Sequence, residues 1–260
     1  FHLCLTLSSI QRIKEGDLMT GNNENQNSKP IVSLSGLTIG FDSKNPLVQV
    51  PDLKIYPGEI VAITGASGVG KTTLLRTIAG LVSPITGTLE VCNSILPKLP
   101  PRGSVGYIPQ RLGLVRHASV KHNVMMGARA GHTNPHTITP SAESLSRTED
   151  AIERMGLTDK IDEPIRRLSG GQQRRVATAR SLAQSPRLIM ADEFLSELDE
   201  ETLNSVLFEV TEYVRSTQAA LIVVEHDVSR AKSMADRMLV IDDGRVNPFL
   251  SETTALEVNL

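Results

Sequence analysis

The feature that most constrains this chain is a short apolar run that ends in a glycine-rich loop and continues as a helix. Ile60-Val61-Ala62-Ile63-Thr64 comes after the turn pair Pro57-Gly58 and reads as a buried strand. Gly65-Ala66-Ser67-Gly68-Val69-Gly70-Lys71-Thr72 comes next. From Thr72 to Leu81, apolar Leu74, Leu75, Ile78 and Leu81 recur at helical spacing, with Gly80 near the end. Glycines let successive backbone N–H groups curl around an oxyanion, and a helix start adds its positive pole. The loop fits G-x-x-x-x-G-K-[ST], in which the lysine places charge on the terminal phosphates and the Ser/Thr hydroxyl is a ligand for Mg²⁺. These residues imply a bound nucleoside triphosphate, ATP or GTP, and leave open what its hydrolysis drives.

Other segments set this loop in a parallel α/β body. Leu188-Ile189-Met190-Ala191 and Ala220-Leu221-Ile222-Val223-Val224 read as buried parallel strands, and Met238-Leu239-Val240-Ile241 as a last one before the turn Asp242-Asp243-Gly244. Ile31 to Leu34 and Leu47 to Val50 alternate like half-exposed strands. Strand signals fade over about 111–167, which reads as an inserted helical lobe with a loose stretch around Gly131 to Pro140. The expected organisation is a polar lead-in over 1–30, an ATPase domain over 31–250 and a tail over 251–260. Met19, just before the polar tract Thr20 to Pro30, is the expected translation start.

Composition bounds the partners. A net charge of −2 gives no electrostatic reason for a nucleic-acid partner. No apolar run approaches the roughly 20 residues of a membrane span. Cys4 and Cys92, far apart, suggest neither a disulfide framework nor a metal site, and a reducing cytoplasmic setting is expected.

Ligands of parallel sheets bind at the C-terminal ends of the strands, so the residues that end each apolar run are the candidates for chemistry. Asp192 and Glu193 end the strand from Leu188. The first is placed to hold Mg²⁺ or its water, and the second to orient or deprotonate an attacking water. Leu168-Ser169-Gly170-Gly171-Gln172-Gln173 precedes a helix expected from about Arg174 to Ala183, with Ser169 as its N-cap. A capped start with two glycines is a second place where an anion could sit, although a capped surface helix would read the same way.

The order of the loop, LSGGQQ and the Asp-Glu strand resembles the nucleotide-binding subunit of ATP-binding cassette (ABC) transporters, from about Val32 to Val246. The resemblance implies a P-loop NTPase fold with a RecA-like core, an antiparallel β subdomain and an inserted helical subdomain. It implies ATP with Mg²⁺, hydrolysed between two cassettes packed head to tail. Lys71, Thr72 and Thr73 of one cassette would then face Ser169, Gly170, Gly171 and Gln172 of the other. Gln110, in Tyr107-Ile108-Pro109-Gln110, falls at the glutamine that contacts Mg²⁺ and the attacking water. His226, in Glu225-His226-Asp227, falls at the histidine that bonds the γ-phosphate, and Asp199, in Ser196-Glu197-Leu198-Asp199, at the dimer-interface loop. Phe41 falls where an aromatic stacks on adenine, though an aromatic in an early strand would by itself read as core.

Three residues depart from the family pattern. Phe194 replaces a usual proline, Glu197 a small residue, and Glu225 a common Ser or Thr. The partners implied are a second cassette, expected to be a copy of this chain, membrane-spanning permease subunits at the cytoplasmic face, and a solute-binding protein as a further candidate. A cassette regulating a membrane complex, of cell-division or lipoprotein-release type, is the alternative. The transported substrate, and import against export, are not legible.

Overall fold

The structure, a computed structural model, describes residues 28–248 apart from 43, 45, 133–138 and 197. Cys4, the start expected at Met19, most of the 1–30 lead-in, Glu197 and the 251–260 tail therefore lie outside the described residues. In chain order the strands are β1 (Val32–Ile39), β2 (Val48–Val50), β3 (Leu53–Ile55), β4 (Ile60–Gly65), β5 (Thr86–Val91), β6 (Ser94–Ile95), β7 (Val105–Ile108), β8 (Leu188–Asp192), β9 (Ala220–Val224), β10 (Arg237–Asp242) and β11 (Arg245–Pro248). The helices are α1 (Lys71–Ile78), α2 (Val120–His132), α3 (Ala142–Arg154), α4 (Gly170–Ala183), α5 (Glu200–Thr217) and α6 (Val228–Met234).

All the strands join one sheet, ordered β6-β5-β1-β2-β11-β10-β4-β9-β8-β7, with β3 paired to β1. The run β10-β4-β9-β8-β7 is parallel throughout. Its central strands are continuous apolar runs because both faces are covered. Alternate residues divide between two cores. Val61, Ile63, Met190 and Ile222 pack with Leu74, Leu75 and Ile78 of α1. Ala62, Ile189, Leu221 and Val223 pack on the other face with Val176, Ala177 and Ala179 of α4 and with Ala231 of α6. This is the α/β P-loop architecture expected, and β1, β2, β3, β5 and β6 form its antiparallel part.

Several elements differ from the sequence reading. Helix α1 stops at Ile78 rather than Leu81, because Gly80 at φ 73° turns the chain out, and Leu81 is exposed instead of buried. Strand β5 carried no strand signal because its first half, Thr86-Gly87-Thr88, is polar and exposed. Strand β1 runs five residues past Leu34, to Ile39.

The segment expected to be helical holds α2, α3 and two single 3-10 turns at Thr158–Lys160 and Ile165–Arg167. Ser141 caps α3 by accepting from the Ser144 N–H. Helix α2 lies hard against α4, since a Cβ on Gly127 would fall 1.9 Å from the Arg180 carbonyl oxygen. Asn123, wholly buried, closes the preceding loop through the Val115 N–H and the carbonyls of Val115 and Ser119.

At the opposite end of the sheet from the loop, Glu59 and Arg237 form a buried ion pair at 2.8 Å. Burial pushes the Glu59 carboxyl above its ordinary pKa, and the Arg237 guanidinium opposes that shift. Glu59 also accepts from the Tyr56 N–H, and Arg237 donates to the Lys54 carbonyl, so the pair ties the β3–β4 turn to β10. Arg237→Ala would leave a buried, unpaired carboxylate and should lower stability by about 3–5 kcal/mol in urea unfolding.

Candidate functional site

Strand β4 delivers the glycine loop to the C-terminal edge of the parallel strands. Gly65 adopts φ 142°, and a Cβ there would lie 2.5 Å from the Ile241 carbonyl. Gly70 adopts φ 109°, and a Cβ would meet Val48 Cγ2 at 2.6 Å. Both positions need glycine for conformation and for space. Ala66, Ser67 and Gly68 are exposed at the loop's crest, while Val69 packs partly into the α1-side core. Lys71 opens α1 and turns back, its Nζ donating to the carbonyls of Gly65 and Ala66, each at 2.7 Å. Burial pulls its ammonium pKa down, and the carboxylates of Glu193 and Asp192 oppose this.

Strand β8 is buried along its whole length and ends in Asp192. Thr72 Oγ1 donates to Asp192 Oδ2 at 2.8 Å, joining residues 120 apart in sequence. Asp192 Oδ1 is buried and has no hydrogen-bond partner in the protein. Burial is the main force raising the Asp192 carboxyl above its ordinary pKa; the bond from Thr72 opposes it. Among the described residues no group of three or more His, Cys, Asp or Glu side chains is arranged to hold a metal ion by itself. One hydroxyl and one carboxylate with an unused oxygen are a sparse, hard donor set. That suits Mg²⁺, which keeps waters and takes phosphate oxygens for its remaining positions, and does not suit a metal needing an all-protein cage.

Glu193 stands on a sharp turn at φ 53°. Its N–H donates to the Val224 carbonyl, and its own carbonyl accepts from the Ser196 N–H, Ser196 Oγ and Arg174 Nη1. Phe194, at the usual proline position, is 1% exposed and fills the core on the α4 side, so packing anchors this turn. The Glu193 side chain is held from two sides. Gln110 Nε2 donates to Oε2 at 2.9 Å, and His226 Nε2 lies 2.6 Å from Oε1. Gln110, Glu193 and His226, named separately from the sequence, are thus in direct contact.

The remaining candidates lie apart from this cluster. Helix α4 begins at Gly170, not near Arg174, because Ser169 and Gln172 form a reciprocal capping box. The hydrogen bonds of this helix end are local, to Ser169, Gln172 and the Leu168 carbonyl. Asp199 spends its carboxylate on capping α5 through the Thr202 N–H. Phe41 is 76% exposed just past β1, so it is not the core residue that its setting in an early strand suggested. Sequence reasoning missed Arg174, whose only signal is a long cation in a buried stretch of α4. It also missed Arg180, which donates to the carbonyls of Leu112 and Gly113 just after Gln110.

This arrangement, a phosphate loop beside an Asp–Glu strand end with a glutamine and a histidine on the glutamate, defines a P-loop NTPase cassette. The family profile described as ABC transporter matches residues 48–196, and the chain belongs to the ABC transporter family. The spermidine/putrescine import ATP-binding protein PotA of Salmonella typhimurium is 36% identical over 224 residues, 86% of this chain and 57% of that protein. PotA of Escherichia coli K12 is 35% identical over 226 residues, 86% of this chain and 58% of that one. The chain thus spans a little over half the length of these curated relatives. Among solved structures, the dimeric post-hydrolysis state of the ATP-binding cassette MJ0796 bound to ADP and Pi superposes with a TM-score of 0.73 at 26% identity, covering 83% of this chain and 96% of that one. Clostridium perfringens cbiO1, part of the cbiONQ transporter complex, gives 0.72 at 25%, covering 88% and 92%.

Burying the Asp192 carboxylate with one oxygen unused is a local cost to the fold. Asp192→Asn should therefore raise the thermal midpoint of the nucleotide-free protein by a few degrees, roughly the response to 1 kcal/mol. If Asp192 is the Mg²⁺ ligand that the resemblance implies, the same substitution should also abolish a further rise on adding Mg-ATP; scanning fluorimetry reads both.

Proposed function

We propose that this chain is the ATP-hydrolysing subunit of an ABC transporter and works as one half of a head-to-tail pair of cassettes on a separate permease. The observation that carries this reading is the meeting of Gln110 and His226 on Glu193, one residue beyond the Thr72–Asp192 hydrogen bond.

In this reading Gly65 to Gly70 direct backbone N–H groups at the phosphates of ATP. Lys71 exchanges its two carbonyl partners for the β/γ-phosphates, and Thr73 adds a hydroxyl. Thr72 and Asp192, with Gln110, would hold Mg²⁺, which when bound would supply positive charge against the phosphates. Glu193 takes the proton of the attacking water. His226 hydrogen-bonds the γ-phosphate, and Gln110 orients the water. Phe41, exposed just past β1, stacks on adenine. Ser169, Gly170, Gly171 and Gln172 of the second cassette close over the phosphates with a helix N-terminus, and Asp199 lies along the pair's interface. ATP then favours the closed pair through contacts that hydrolysis removes.

Among the described residues no helix is long and apolar enough to cross a membrane; in this reading the permease is a separate chain, met from its cytoplasmic side. The relatives named for spermidine/putrescine import favour an importer over a regulator of a membrane complex, with a solute-binding protein as a further partner.

Glu193→Gln should lower steady-state ATPase by at least about 100-fold. It should also accumulate an ATP-bound dimer on gel filtration; near-normal turnover would remove Glu193 from the base role. Lys71→Ala should abolish ATP binding measured with a fluorescent analogue, and unchanged affinity would refute the phosphate grip.

A further inference from the structure

Glu225, the residue before His226, is a carboxylate where the family commonly carries a hydroxyl. It is 4% exposed, at the end of the central strand β9, and its N–H still bonds to the Ile63 carbonyl of β4. Strand alternation turns its side chain to the same face as Val223, which packs in the core shared with Ala231 and Met234 of α6. There Oε2 lies 3.5 Å from Arg230 Nη1 on α6, while Oε1 is buried without a hydrogen-bond partner. Burial raises the Glu225 pKa; Arg230 and His226 act against this, while Asp227 and Glu193 add to it. A buried carboxylate costs a fold several kcal/mol unless it is well paired, so stability alone does not account for one here.

The neighbours indicate what it does instead. Asp227 caps α6 by accepting from the Arg230 N–H at 3.0 Å. Glu225 and Asp227, the residues on either side of His226, therefore both hold Arg230, one by its guanidinium and one by its backbone. The residue between them reaches the Glu193 carboxylate. We propose that Glu225 is a positioning residue for hydrolysis: its contact with Arg230 locks the turn between β9 and α6 so that the His226 imidazole is presented to Glu193 and the γ-phosphate. The inference rests on the role given to His226 above. It assigns a purpose to the one departure from the family pattern that is both described and charged.

The test is steady-state ATPase of the full chain. Glu225→Ala and Arg230→Met should each lower kcat about tenfold, with KM for ATP changed by less than about twofold. Combining them should lower kcat no further than the worse single variant. Glu225→Gln, which keeps an acceptor for Arg230, should recover most of the rate. In a His226→Ala background, Glu225→Ala should change kcat by less than about twofold, a non-additivity that general loosening of the fold would not produce. Native kcat in Glu225→Ala, or an equal fractional loss with and without His226, overturns the proposal. Should Glu225→Ala be insoluble, Arg230→Met carries the same comparison from a side chain that is 30% exposed. A fully active His226→Ala protein would overturn the role of His226 and this proposal together; an impaired one on which Glu225→Ala acts additively overturns this proposal alone.

Discussion

The site depends on the register of three parallel strands. Val224 of β9 pairs with Ile63 of β4 on one side and with Asp192 of β8 on the other, so these three residues form one row across the sheet. Beyond that row the chain leaves the sheet three times at the same edge: as the glycine loop after β4, as Glu193 after β8, and as Glu225 and His226 after β9. A slip of one residue in either pairing would invert the facing of every side chain on the displaced strand, carrying Ala62 or Val223 into the wrong core. The hydrophobic alternation that divides the two cores is therefore also what aligns the chemistry. Packing and catalysis are not separate demands on these strands.

Helix α4 translates that alignment to the rest of the molecule. Its first turn carries the capping box of Ser169 and Gln172. Further along, Arg174 bonds the Glu193 carbonyl, Arg175 bonds the carbonyls of Met155 and Gly156 at the end of α3, and Arg180 bonds the loop after Gln110. Each of these bonds runs from a long side chain to a distant backbone carbonyl. One helix thus registers the positions of the glutamate turn, the helical segment and the glutamine loop relative to each other.

Legibility in the sequence tracks which signals are local. The glycine loop, the apolar strands ending in Asp192 and Val224, and the Ser169 cap all declare themselves within a few neighbouring residues. The end of α1 did not, because whether Gly80 sits within a helix or ends it depends on a left-handed conformation that the side-chain pattern does not encode. Strand β5 was hidden because its exposed half is polar on both faces. The convergence of Gln110, Glu193 and His226 was available only through family resemblance, since no spacing rule links residues 83 and 33 positions apart. Arg174 and Arg180 were invisible for the same reason, as their partners are backbone atoms and carry no sequence identity.

The contact at Gly127 has a mechanical meaning. Where helices meet through side chains, a displacement of one is partly absorbed by rotamer changes before it reaches the other. At Gly127 that cushion is thin, because the backbone meets the Arg180 carbonyl with no room for a methyl group. A displacement of α2 at this point would bear directly on the backbone of Arg180, the residue whose guanidinium grips the glutamine loop. The inserted segment is at this point seated on the helix with no side chain between the two backbones to take up a shift.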